Sequence, residues 1–173
     1  MLLSELARPT RHELIGRDVE VKELIYNSRK VKNGDVFCCI VGTFADGHKY
    51  AQQAVDAGAA ALVVERKLDI DVPQILVEDT RIAIAEMAAA YYGYPSREMQ
   101  MIGVTGTNGK TSTTYMLKAI AERMGKKVGL IGTIRNMIGD IIIDTERTTP
   151  ESVDLQRILR QMKDNALGCG ALG

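Results

Sequence analysis

The chain has 173 residues, 22 of them basic and 22 acidic, so its formal net charge is zero. That length can bury a substantial core, in one domain or two small ones. A neutral balance argues against a nucleic-acid or membrane partner held by bulk charge. No run approaches the roughly 20 apolar residues of a membrane span, and the charged start MLLSELARPTRHEL lacks a secretory apolar region. A cytoplasmic location is expected.

In chain order, residues 21–26 read as a strand, Asn33-Gly34-Asp35 as a turn and residues 36–41 (VFCCIV) as a second strand. A loop bounded by Gly42 and Gly47 comes next. Residues 49–57 have helical spacing, with Tyr50, Ala54, Val55 and Ala57 on the apolar side and Gly58 as a C-terminal cap. Residues 61–64 and 75–77 read as short strands. Asp79 suits the N-cap of the helix TRIAIAEMAAAYY, which Gly93 and the Tyr94-Pro95-Ser96 break terminate. A domain boundary is placed there, giving domains over 1–97 and 98–173.

The second unit opens with a strand at 101–104, then a glycine-rich loop, then a helix with Tyr115, Leu117, Ile120, Ala121 and Met124 on its apolar side. Residues 127–131 form the next strand, in the parallel, right-handed sense of such units. Two strand-like runs, near Ile134 and at Ile141-Ile142-Ile143, flank a Gly139-Asp140 turn. Pro150 starts a last helix striped with Val153, Leu155, Ile158, Leu159 and Met162. Cys38, Cys39 and Cys169 have no metal-ligand spacing and read as buried free thiols. His12 and His48 stand alone and read as surface residues, His48 with a chance of lying near a binding loop.

The chemistry concentrates at the loop. Gly106 and Gly109 let the backbone turn tightly beside phosphates. Thr107 and Asn108 lie between them. The amides opening the next helix point at an anion. Lys110 supplies charge to the β- and γ-phosphates, and Thr111 places a hydroxyl where Mg²⁺ would sit, with Ser112 next in line. The full phosphate-loop pattern wants its first glycine at position 104, which is valine; Gly103 is one residue early. A glycine-rich helix entry with a solvated lysine is the plain alternative.

The stretch VTGTNGKTST (residues 104–113) resembles the ATP loop of the Mur ligases and their folylpolyglutamate synthetase relatives. Residues 27–65, NSRKVKNGDVFCCIVGTFADGHKYAQQAVDAGAAALVVE, resemble the amino-terminal UDP-binding domain of the members that add the third residue of the peptidoglycan stem peptide. IGTIRNMIGD (131–140) and TTPESVDLQ (148–156) resemble the segments after the loop in the same enzymes. The implied fold is α/β: a small amino-terminal UDP-binding domain, then the first half of a phosphate-loop, Rossmann-like ATP-binding domain. The implied reaction has ATP phosphorylate the D-glutamate carboxylate of UDP-N-acetylmuramoyl-L-alanyl-D-glutamate. An amine of meso-diaminopimelate, or of L-lysine, then displaces phosphate. A Mg²⁺-clamped triphosphate is the implied cofactor arrangement.

The resemblance also implies roles. Gly106, Thr107, Asn108, Gly109, Lys110, Thr111 and Ser112 would hold ATP. Lys110 would be catalytic and Thr111 the metal contact. Ser28 would contact the UDP portion, and Thr43, Phe44 and Ala45 would border the uracil. Thr148 and Thr149 would bind the muramoyl peptide. Asn27 stands where the family more often has aspartate. Ser28 could equally be a turn residue and Thr149 an N-cap. A non-catalytic UDP-sugar or nucleotide-binding module, or another phosphate-loop phosphotransferase, are the alternative functions. The family's later machinery lies downstream of Gln156: a second acidic metal ligand, a carbamylated lysine and an amino-acid-binding domain. The tail ALGCGALG does not resemble the expected strand, so a fragment or a shifted reading frame is expected, inactive alone, monomeric when intact, with an exposed sheet edge.

Overall fold

The computed structural model describes residues 1–42, 45–132, 134–143, 150–165 and 168–172. It divides into two compact units, Met1–Tyr91 and Tyr92–Gly173. The division falls six residues before the expected one. The 3-10 turn Pro95–Glu98 stays with the second unit, where Glu98 pairs with Lys163 at 2.8 Å and Met99 joins the core.

The first unit contains α1 (Leu3–Ala7), β1 (His12–Ile15), β2 (Leu24–Ile25), β3 (Val36–Cys38), α2 (Ala51–Asp56), β4 (Ala61–Val64), β5 (Gln74–Val77) and α3 (Thr80–Tyr91). Its sheet runs β1-β5-β4-β3-β2, with β1 antiparallel and the rest parallel. Every residue of β4 is buried, as expected for a strand covered on both faces. One face packs Phe37, Cys39, Leu62 and Val64 against Ala51 and Ala54 of α2. The expected helix over 49–57 is shorter at its start, because Gly47–Tyr50 is a 3-10 turn, and Tyr50 and Ala57 are exposed. Asp79 caps α3 as expected, accepting from the amides of Arg81 (2.7 Å) and Ile82 (3.0 Å). The strand expected over 21–26 is only Leu24–Ile25, since Val21 and Lys22 give their amides to Met1 and Gly34. The strand expected over 36–41 stops at Cys38. There the chain turns, and the Ile40 carbonyl accepts the amide of Gly47 at 2.9 Å.

The second unit contains β6 (Gln100–Gly103), α4 (Lys110–Arg123), β7 (Val128–Ile131), β8 (Asn136–Ile138), β9 (Ile141–Ile143), α5 (Ser152–Asp164) and β10 (Cys169–Leu172). Its strands run β6-β10-β7-β8-β9, the first three parallel and the last two a hairpin around Gly139-Asp140. The expected strand near Ile134 begins instead at Asn136, and Ile134 is exposed. The tail, which does not resemble the strand expected there, nonetheless forms β10 between β6 and β7: Leu172 pairs with both Gly103 and Ile131. Its small residues carry little strand propensity, but the slot between β6 and β7 favours them. A Cβ on Gly170 would lie 3.2 Å from the Met101 sulfur.

Met162, Ile158 and Leu159 of α5 pack on Ile131 and Ile138, so its expected stripe is its buried face. The expected apolar side of α4 is so only in part, with Tyr115, Leu117 and Ala121 half-buried. Ile120 and Met124 are 57% and 70% exposed, while Thr114 and Lys118 are buried. The loop sets where α4 starts and hence its rotation, and tertiary placement overrides the pattern. Lys118 lays its stem along the buried face and pairs with Glu122 one turn on.

Candidate functional site

Two constellations carry the expected residues, one in each unit. In the second, β6 ends at Gly103 and α4 starts at Lys110. Gly106 and Gly109 have φ of +149° and +80°, values that L side chains rarely adopt. Gly109 is the N-cap of α4, and no side chain caps the helix. The first helical bond runs from the Thr113 amide to the Gly109 carbonyl at 2.9 Å, so the amides before it have no intrahelical acceptor. No acidic residue occupies the first turn. The Lys110 ammonium folds back and donates to the Gly106 carbonyl at 2.6 Å. Thr107, Asn108, Gly109 and Ser112 are exposed and Thr111 half-buried. Thr111 offers its carbonyl to the Thr114 hydroxyl at 2.9 Å. The stretch is thus an open turn at a positive helix end, with one cation beside it.

In the first unit, Ser28 and Ala45 lie on loops that leave the carboxyl ends of neighbouring parallel strands, β2 and β3. That end of a parallel sheet is where α/β folds bind ligands. Ser28 opens a 3-10 turn capped by Asn27, whose side chain accepts the Arg29 amide at 3.1 Å. The Ser28 hydroxyl donates to the Gln53 side chain of α2 at 3.3 Å. The Ala45 carbonyl accepts the Gly42 amide at 2.9 Å, and Val41 and Asp46 form an antiparallel bridge, closing the loop at its neck. Thr43, Phe44, Thr148 and Thr149 lie outside the described residues.

Below that neck is a network that the sequence did not disclose. Asp46 accepts the His48 amide (2.9 Å), His48 Nδ1 (2.6 Å) and the Arg66 guanidinium (2.6 Å). His48, expected from sequence as a surface residue, is buried, because its ring sits under the loop between Asp46 and β4. Its Nε2 accepts the Glu65 amide at 3.0 Å, which assigns the ring proton to Nδ1. The Glu65 carboxylate accepts the Thr80 amide (2.9 Å) and hydroxyl (2.7 Å), and Thr80 Oγ1 accepts the Val41 amide at 3.4 Å. Arg66, and after it the His48 amide, holds the Asp46 carboxyl well below the usual carboxylate range. The signal available was Asp-Gly-His, three residues suited to a turn whose polar side chains bond nearby backbone.

The three cysteines are free and buried, as expected. Burial pushes the Cys39 thiol up to about 12, and Cys38 well above its ordinary value. Among the described residues no group of three His, Cys, Asp or Glu side chains could hold a metal, and no helix is long and apolar enough to cross a membrane.

Comparison with known proteins matches residues 20–92 to the Mur ligase family, catalytic domain, and residues 104–171 to the Mur ligase middle domain. A relative from Clostridium botulinum named UDP-N-acetylmuramoyl-L-alanyl-D-glutamate--2,6-diaminopimelate ligase is 51% identical over 150 residues, covering 84% of this chain and 31% of the relative. The chain spans about a third of the length of the curated relatives it matches. A solved UDP-N-acetylmuramoyl-L-alanyl-D-glutamate--2,6-diaminopimelate ligase superimposes with a TM-score of 0.72 at 23% identity, over 88% of this chain and 31% of that one, a likeness of fold. The MurF ligase of Thermotoga maritima in complex with ADP gives a TM-score of 0.60 at 26% identity, again over 88% of this chain and 31% of that one.

Proposed function

We propose, from the premise that the chain belongs to the Mur ligase family, that it supplies the nucleotide-sugar and ATP sites of a cytoplasmic ligase. That ligase would join diaminopimelate, as the meso isomer, to UDP-N-acetylmuramoyl-L-alanyl-D-glutamate; the curated relatives are named as ligases of that substrate and 2,6-diaminopimelate. L-Lysine is the alternative amino acid. The observation that carries the reading is the loop between β6 and α4: two glycines at positive φ, an uncapped helix start and Lys110 beside it.

ATP would lay its phosphates against the first amides of α4, where the helix dipole favours negative charge. Lys110, a compact point charge, would exchange the Gly106 carbonyl for phosphate oxygens. That swap would offset charge on the γ-phosphoryl as it passes to the D-glutamate carboxylate and ADP departs; in the complete ligase the amine would then displace phosphate from the acyl phosphate. The residues present fit Mg²⁺ only in part. Thr111 offers a hydroxyl in the first turn of α4, while the described residues hold no carboxylate cluster. Thr111 would hold an ion brought by the triphosphate, and the ion would neutralise phosphate charge. In the first unit, Ser28 would contact the UDP portion, and Thr43, Phe44 and Ala45 would border the uracil. Thr148 and Thr149 would hold the peptide end.

Calorimetric titration with Mg²⁺·ADP tests the loop. Lys110→Met should weaken binding about tenfold or more, as expected for loss of a charged phosphate contact. Equal affinity of the two proteins would remove the ATP assignment.

A further inference from the structure

Resting on the reading of the first unit as a UDP site, we infer that Asp46, His48 and Arg66 are positioning residues. They fix the neck formed by Val41, Gly42, Ala45 and Asp46 after the carboxyl end of β3. None belongs to the phosphate loop, and none was expected to touch ligand.

The Asp46 carboxylate receives three donors from three directions: its own turn, the His48 ring and the Arg66 guanidinium from beyond β4. The His48 ring is buried and bonded at both nitrogens, so it is fixed in one orientation between the loop and the β4 end. Thr80, at the start of α3, holds the other leg of the neck through the Val41 amide and is itself gripped by Glu65. Glu65 and Arg66 are consecutive, so one short segment after β4 anchors both legs. Gly47 passes so close to Ile40 that the return leg has no room for a side chain. A hydrogen-bonded carboxylate at the base of a binding turn does no chemistry. It removes the entropy that the neck residues Val41, Gly42, Ala45 and Asp46 would otherwise lose on binding. Cutting the clamp therefore weakens UDP and leaves the ATP loop untouched.

The test uses the 173-residue chain, with UDP as one probe and Mg²⁺·ADP as the other. His48→Ala should weaken UDP about tenfold, the loss of one charge-assisted hydrogen bond. Arg66→Met, at an exposed position, should weaken it about threefold. His48→Asn, which can still donate to Asp46, should recover most of the affinity. Mg²⁺·ADP affinity should not change in any variant. Hydrogen exchange gives a readout without ligand: the Gly42 and Gly47 amides should exchange faster in Arg66→Met and His48→Ala, while the Leu62 amide, bonded to Pro73, stays protected. A wild type that binds UDP with variants that bind it equally overturns the clamp and leaves the uridine reading standing. A wild type that binds no UDP overturns both. Unchanged Gly42 and Gly47 exchange also overturns the clamp.

Discussion

Replacing Gly47 by alanine probes the turn that the first unit builds after β3. A Cβ at this position would lie 2.7 Å from both the nitrogen and the oxygen of Ile40 and 2.8 Å from the Cys39 carbonyl carbon. All three are backbone atoms, so no side chain can swing away. The chain must separate, and the Gly47 amide bond to Ile40, 2.9 Å, goes with it. Overpacking costs about 1–3 kcal/mol and a lost hydrogen bond about 1 kcal/mol. The expected loss is about 2–4 kcal/mol, a large part of the 5–15 kcal/mol that holds a typical domain. For a unit of this size that lowers the melting temperature by roughly 10–30 °C. Gly139→Ala is the control in the other unit. It meets no atom within 4 Å and carries only a φ of +60°, a strain of about 1–2 kcal/mol. Scanning calorimetry of both variants should show the larger drop for Gly47→Ala. A Gly47→Ala melt within 2 °C of wild type (less than about half a kcal/mol) would refute the packing described for this turn.

Three more outcomes are expected from the same geometry. Asp46 has a folded pKa depressed below its unfolded value of about 3.9, so its contribution is present above that pH and is lost as pH falls through the folded value; acid titration of Asp46→Asn should therefore show a flatter loss of stability below about pH 4 than wild type. Cys38 and Cys39 should resist alkylation at pH 8 in the native protein and react after denaturation, which mass spectrometry of the labelled peptides reads directly. Ser28→Ala frees Gln53 and removes one donor, and should weaken UDP binding by roughly 3- to 10-fold in calorimetry with no change for Mg²⁺·ADP.

The parts of this fold that were legible in the sequence are those with local causes. Asp79 caps its helix, Gly139-Asp140 turns its hairpin, and the stripe on α5 is a core face, because each depends on residues within a few positions of one another. The turn between β6 and α4 was legible because two glycines spaced three apart before a helical run are a local signal. The features that the sequence did not disclose share a different cause. β10 is built from Cys, Gly, Ala and Leu, and only its two neighbours make it a strand. The buried face of α4 is set by where the loop releases the helix, which no periodicity within the helix encodes. His48 reads as polar and lone; its partners include the Glu65 amide, 17 positions away at the end of another strand, and it shares Asp46 with Arg66 from the same segment. Long-range polar pairing leaves no short-range pattern.

The most direct test of two separate ligand sites is a pair of titrations on one isotope-labelled sample of the 173-residue chain, monitored by NMR. Mg²⁺·ADP should shift amides in the 104–114 segment and leave Ser28, Gly42 and Ala45 in place. UDP-N-acetylmuramoyl-L-alanyl-D-glutamate should shift Ser28, Gly42, Ala45 and Asp46, whether or not Lys110 has been changed to methionine. Shifts of the 104–114 segment that are absent with Mg²⁺·ADP, or UDP-ligand shifts that vanish in Lys110→Met, would contradict the account.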